Sequence, residues 1–142
     1  MTDKNYHSKS EQETINLAIE YAKDLKDGDI VCLHGTLGAG KSVFSRAVIR
    51  ALSGEPYLVV PSPTFTLVQM YETTDFPIWH FDLYRLEDPE EIYEIGWEEA
   101  LSDGVLLIEW PEKLGHLLPE KYKSVNISMT GDTRTISYSS HQ

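Results

Sequence analysis

The apolar positions change period several times along this chain, and each period predicts an element. Ile15, Ala18, Ala22 and Leu25 fall on one helical stripe, widened by Leu17 and Tyr21. Ser10 followed three residues later by Glu13 is a capping box, so a helix is predicted over about 11–26, ended by Asp27-Gly28-Asp29. The run 29–34 is rich in β-branched residues and predicts a buried strand. Phe44, Ala47, Val48, Ala51 and Leu52 return to helical spacing, predicting a helix over 43–52 with Gly54 as its C-terminal glycine. A short strand is predicted at 57–60. Ser62-Pro63-Thr64 predicts a loop, because residues before proline avoid the helical region. Alternation at 65–71 and 78–84 predicts two strands around a turn at 73–77. Short helices are predicted at 89–95 and 97–102. The unbroken apolar run 105–108 reads as a strand covered on both faces. A hairpin closes the pattern, with strands at 124–129 and 134–139 around a turn at 130–133.

The elements sum to one α/β domain spanning 1–142, with a mostly parallel central sheet and antiparallel additions. Residues 35–42 add the first chemistry. Gly35-Thr36-Leu37-Gly38-Ala39-Gly40-Lys41-Ser42 meets every fixed position of the phosphate-loop pattern G-x-x-x-x-G-K-[ST], between a predicted strand and a predicted helix. Its glycines allow a tight loop whose backbone N–H groups turn onto phosphate oxygens. The Lys41 ammonium adds a cation for the β- and γ-phosphates, the Ser42 hydroxyl suits a magnesium ligand, and the helix N-terminus supplies partial positive charge. The fold class is therefore a P-loop NTPase-like three-layer sandwich.

Bulk properties narrow the partners. The chain has 142 residues and a net charge of −11, which argues against broad electrostatic binding to nucleic acid. Its one cysteine, Cys32, excludes an intramolecular disulfide framework and a Cys-rich zinc site. No apolar run reaches the length of a membrane span, and the polar N-terminus lacks a signal-peptide core, so a cytoplasmic protein without membrane contact is expected.

A phosphate loop alone binds phosphate; hydrolysis or transfer also needs a carboxylate in the metal shell and a group that orients the nucleophile. Ligands of open α/β sheets sit at the carboxyl ends of the strands. Glu109 directly follows the strand 105–108, where P-loop proteins place the acidic residue of their second nucleotide motif; the alternative is a salt-bridged or solvated strand-end Glu. His80, Asp82 and Tyr84 alternate with Phe81 and Leu83, which suggests a polar face lining a cleft or the solvated side of an edge strand. Thr64 follows two prolines and could offer a hydroxyl or amide to a γ-phosphate, or belong to a mere connector. His34 and His80 lack further His or a Cys cluster nearby, which favours packing over metal binding.

Four segments in order carry a resemblance: the loop at 35–42, Ser62-Pro63-Thr64-Phe65-Thr66-Leu67-Val68, His80-Phe81-Asp82-Leu83-Tyr84-Arg85-Leu86 and Glu109-Trp110-Pro111-Glu112. Together they resemble the TsaE (YjeE) family of bacterial ATPases over roughly residues 10–112. The resemblance implies ATP and Mg2+ as cofactors and the TsaB–TsaD heterodimer as partner. It implies a role in sustaining turnover as that complex places threonylcarbamoyl on N6 of adenosine 37, with tRNA met only indirectly through the complex. It implies that Lys41 binds phosphates, Ser42 and Glu109 hold magnesium, and Thr64 lies in a switch-like motif. Asp82 would position or activate water, with Trp110 beside the site. Thr14 matches a family position near the nucleotide base, and Arg134 aligns loosely with a nucleotide contact. Two positions depart from the family: Thr36 stands where Asp is frequent, and Ser42 where Thr is frequent. Ser42 keeps the metal-binding hydroxyl, whereas any role of an acid at position 36 is lost.

Two other functions share the loop. A small-molecule kinase on this fold usually carries an arginine-rich lid, but the chain has only Arg46, Arg50, Arg85 and Arg134. A nucleotide-switched binding module with negligible hydrolysis shares the same residues as a slow ATPase. The segment 87–103 holds eight acidic residues and no Lys or Arg, read as a solvated face or as a surface toward a basic partner or tRNA.

Overall fold

The computed structural model describes residues 4–35, 40–63 and 65–141. Thr36, Leu37, Gly38, Ala39 and Thr64, expected to contact nucleotide, lie outside the described residues. The predicted first helix is α1 (Glu11–Ala22). Ser10 caps it by accepting the Glu13 N–H at 3.1 Å, worth about 1 kcal/mol. The Glu13 carboxylate reaches back one residue further than in the usual box, to the Lys9 N–H. After Ala22 the chain tightens into turns that bring Leu25 into the core, so the predicted end at 26 is four residues late. The next helix, α2 (Lys41–Ser53), ends at Gly54 as expected.

Among the described residues seven strands form one sheet: β1 (Lys4–Ser8), β2 (Ile30–Gly35), β3 (Val68–Tyr71), β4 (Ile78–Asp82), β5 (Val105–Glu109), β6 (Tyr122–Thr130) and β7 (Thr133–His141). Their order is β1-β7-β6-β2-β5-β4-β3. The central four, β6, β2, β5 and β4, run parallel; β7 and β3 lie antiparallel to them at the two sides, and β1 pairs antiparallel to β7 at the outer edge.

Alternation along the central strands makes two cores. Toward α1 and α2 point Val31, Leu33, Ile78, Val105, Leu107, Val125 and Ile127, packed with Ala18, Ala22, Phe44 and Val48. Toward the other layer point Phe81, Leu106 and Ile108. That layer is built from a 3-10 helix at Pro89–Ile95, helix α3 (Trp97–Ser102) and 3-10 turns at Pro111–Leu117. Trp97 closes it, meeting Phe81 edge-on at 5.5 Å. Each fully buried side chain of this size contributes roughly 1.5–3 kcal/mol.

The structure corrects three local expectations and adds one strand that none anticipated. Residues 57–60 form no strand: the Leu58 N–H bonds to the Glu55 carbonyl, and its own carbonyl accepts Nε of Arg50, so its backbone groups go to a turn and a helix side chain. β3 begins only at Val68, because Leu67 adopts a left-handed conformation (φ 68°) and its N–H turns back to Pro63. β4 stops at Asp82, leaving Tyr84 in a turn rather than on the strand face. β1 is an added edge strand whose polar sequence, Lys-Asn-Tyr-His-Ser, carries no periodic signal; pairing with β7 makes it a strand.

Candidate active site at the carboxyl edge of the sheet

The site is assembled where three parallel strands end. β2 finishes at Gly35, the first glycine of the phosphate loop. A Cβ there would stand 2.6 Å from the Ile127 carbonyl oxygen on β6, so only glycine lets the loop leave the sheet this close to its neighbour. At the other end of the loop, Gly40 caps α2 with φ 107°, and the Phe44 N–H begins the helix by bonding to its carbonyl. A Cβ on Gly40 would fall 3.2 Å from Nε of Arg134. The arginine of β7 therefore lies against the end of the loop, at the start of a 13-residue helix whose dipole favours anions.

β4 and β5 deliver the two carboxylates. Asp82 and Glu109 are register partners at the last position of each strand, and Glu109 is also paired with Leu33 of β2. Both point to the helix-layer face, and both are buried, 7% and 4% exposed. Their supports differ. The Asp82 carboxylate accepts the N–H of Tyr84, two residues on, and its own N–H donates to the Leu67 carbonyl. Oε2 of Glu109 lies 2.7 Å from Nε2 of His80, a hydrogen bond spanning 29 residues of chain. His80 is buried on the same face of β4, so its packing within the core agrees with the sequence reading.

Lys41, the first residue of α2, is also buried, and its Nζ lies 4.0 Å from the centroid of the Trp110 ring. Such a cation–π contact is worth about 0.5–2 kcal/mol. Tyr84 packs against the same indole at 5.0 Å, which is where its displacement from β4 takes it. Trp110 (φ 60°) and Leu67 are the two non-glycine residues with positive φ among the described residues. One directly follows Glu109 and the other holds the Asp82 N–H. Left-handed conformations cost on the order of 1–2 kcal/mol each and concentrate at functional sites.

The remaining expected residues are placed as follows. Ser42 is exposed in the first turn of α2, its carbonyl accepting Oγ of Ser45 and Nε of Arg46. Thr14 is buried, its hydroxyl 2.7 Å from that of Ser8 and 3.3 Å from the Ser10 carbonyl, so it ties α1 to β1. His34, beyond the core part of β2, is held below its ordinary pKa by burial; Glu112 opposes this, and Lys41 and His141 add to it. Burial pushes the Cys32 thiol up to about 12, Glu112 adding to the effect, which makes it an inert core group. A groove of about 870 Å³ lies elsewhere, between α1 and α2.

The two carboxylates at the edge and the Ser42 hydroxyl in the first turn of α2 are oxygen donors, the type that suits a hard divalent cation. Among the described residues no group of three or more His, Cys, Asp or Glu forms a metal cage. A magnesium ion held by one or two carboxylates and nucleotide phosphates needs none.

The model for "Threonylcarbamoyl adenosine biosynthesis protein TsaE" matches residues 8–136. The chain belongs to the TsaE family. Its relatives include a tRNA threonylcarbamoyladenosine biosynthesis protein TsaE of Rickettsia bellii, 49% identical over 127 residues that cover 89% of this chain and 88% of that protein. The TsaE of Bacillus subtilis is 35% identical over 85% of this chain and 75% of its own length. The crystal structure of Bacillus subtilis YdiB superposes with a TM-score of 0.78 at 26% identity, covering 99% of this chain and 86% of that one. The α/β fold expected from the phosphate loop is thus the TsaE fold. No helix among the described residues is long and apolar enough to cross a membrane.

The TsaE motifs identified the carboxylates but not what supports them. The His80–Glu109 bond and the Lys41–Trp110–Tyr84 stack depend on which strands become neighbours. The alternation of His80 with Phe81 was the only advance signal, since it put His80 on the face of Asp82.

Proposed function

We propose that this protein binds and hydrolyses ATP with magnesium and acts on the TsaB–TsaD complex to sustain tRNA N6-threonylcarbamoyladenosine formation. The observation that carries the proposal is the side-by-side placement of Asp82 and Glu109 at the ends of β4 and β5, on one side of the exit of β2 at Gly35. Lys41 and the start of α2 supply positive charge for the phosphates, and Arg134 lies close enough to Gly40 to add a second cation. Ser42 and Glu109 are the residues to hold magnesium, which when bound draws charge from the phosphate oxygens. Asp82, anchored through its neighbours' backbone, holds and orients the water that attacks the terminal phosphate. Trp110 confines the Lys41 ammonium to one side of the site. Thr14 supports the nucleotide side by tying α1 to β1, and Thr64 serves as the switch residue that senses the γ-phosphate.

The test is ATP turnover by the protein alone and with the TsaB–TsaD pair, together with capture of that pair with and without nucleotide. Stimulated turnover and nucleotide-dependent capture are expected. Unchanged nucleotide affinity and turnover in Lys41→Ala would sink the reading. A switch with negligible hydrolysis is the second reading, favoured by the large apolar side chains around the Ser62-Pro63-Thr64 loop. Tyr57, Val59 and Phe65 are 93%, 80% and 81% exposed. Capture that depends on ATP, at a rate of hydrolysis the partner does not alter, would select it.

A further inference from the structure

We infer that His80 is a positioning residue for the metal carboxylate: it locks Glu109 in the orientation that receives the divalent cation. The inference rests on the reading of Glu109 as a magnesium ligand given above.

The first reason is the cost of His80 where it stands. Along the helix-layer face of the central strands, Ile78 precedes it on β4, Leu107 is its register partner on β5, and Val31, Leu33 and Val105 fill the columns beside them. The ring is 2% exposed in this apolar layer. A polar group buried there is unfavourable unless hydrogen-bonded, and an apolar side chain would fill the same space at lower cost.

The second reason is that His80 makes one side-chain hydrogen bond, to Glu109. Nε2 meets Oε2 of Glu109 at 2.7 Å, whereas Nδ1 is buried without a partner. A carboxylate accepts, so Nε2 is the nitrogen that donates to Glu109. A histidine serving the core for its own sake would satisfy both nitrogens. Here the sequence tolerates an unsatisfied Nδ1 to retain a single bond to one carboxylate oxygen.

The third reason is the length of Glu109. Glutamate has one more rotatable bond than aspartate, and ordering that bond on metal binding costs conformational entropy. The neighbouring Asp82 is short and held by backbone two residues away. Glu109 is followed by Trp110 in a left-handed conformation and then Pro111, which has no N–H, so the equivalent local anchor is missing. His80 supplies it across the strands, engaging Oε2. Hydrogen bonds that orient metal ligands typically matter 10–100-fold in metal affinity.

Two substitutions separate positioning from packing. His80→Gln places an amide N–H near the position of Nε2, and His80→Asn places one near Nδ1, too short to reach Glu109; both keep a neutral polar side chain. Mn2+ affinity is read by electron paramagnetic resonance on the full chain with a non-hydrolysable ATP analogue, and nucleotide affinity is read separately in EDTA. His80→Asn is expected to weaken Mn2+ binding about 10–100-fold with metal-free nucleotide affinity unchanged, and His80→Gln to restore it. Equal Mn2+ affinity in the two variants, with Glu109→Gln impaired, overturns the inference alone. So does a loss in His80→Asn that is matched in EDTA, since that is a folding defect. Wild-type Mn2+ affinity in Glu109→Gln overturns the metal role of Glu109 and the inference with it.

Discussion

The two faces of the central sheet are made by alternate residues of the same strands, yet they are built on different rules. Toward α3 and the 3-10 segments, the buried strand side chains are apolar to the strand ends: Phe81, Leu106 and Ile108, sealed by Trp97 and Leu114. Toward α1 and α2 the layer begins in the same way, with Ile78, Val105 and Val31, then turns polar at the carboxyl edge with His80, Asp82 and Glu109. Burial is equal on the two sides, so it does not mark the site. The informative difference is where polar groups displace apolar ones, and each displacement is matched by a specific partner. One face is apolar throughout, and the edge of the other gives up apolar packing for the polar groups of the proposed site.

Substitutions on opposite faces should therefore fail in different ways. Asp82→Ala is expected to lower the rate of ATP hydrolysis by about 10²–10⁴ while leaving nucleotide affinity near wild type. Single-turnover hydrolysis and equilibrium nucleotide binding measure the two separately, and normal hydrolysis would remove Asp82 from its water-positioning role. Trp97→Ala should do the reverse, costing roughly 3–5 kcal/mol of stability in urea titrations while the folded fraction still binds nucleotide. A loss of binding in the folded fraction would show that the faces are not independent. Trp110→Leu removes the ring under Lys41 and is expected to change nucleotide affinity by only about 0.5–2 kcal/mol, measured by calorimetry.

The smallest effect concerns His34. Its folded pKa lies below the ordinary value of 6.5. The unfolded chain therefore binds the proton more readily, and stability rises with pH across that window. Its contribution is complete above 6.5 and is lost as pH falls through the lower folded value. A urea midpoint that declines from about pH 7 toward pH 5, with a shallower decline in His34→Gln, is the expected result.

Local signals made much of this molecule legible in advance. The Ser10 cap of α1, the strand and the helix on either side of residues 36–39, the apolar strand before Glu109 and the C-terminal hairpin all depend on residues close in sequence. The failures share a cause as well. Residues 57–60 have strand-like composition but spend backbone hydrogen bonds on a turn and on Arg50. β1 has no strand-like composition but gains a ladder with β7, more than a hundred residues away. Strand formation is settled by the partner that arrives, which propensity does not encode. Asp82 and Glu109 were identified as separate strand-end acids; their adjacency, and the reach of His80 to only one of them, required the order β2-β5-β4.

By itself, the sequence determined the strand and the helix on either side of residues 36–39, the alternation that sets His80 and Asp82 opposite Phe81, and the two acids at strand ends. These follow from local backbone geometry and a period of two. Tertiary structure alone decided that β5 lies between β2 and β4, that Arg134 crosses to Gly40, and that Lys41 rests on Trp110. Those contacts join residues distant along the chain, and hydrophobic burial, which drives the layers together, is non-directional and names no partner. Register and close packing then select which polar groups meet.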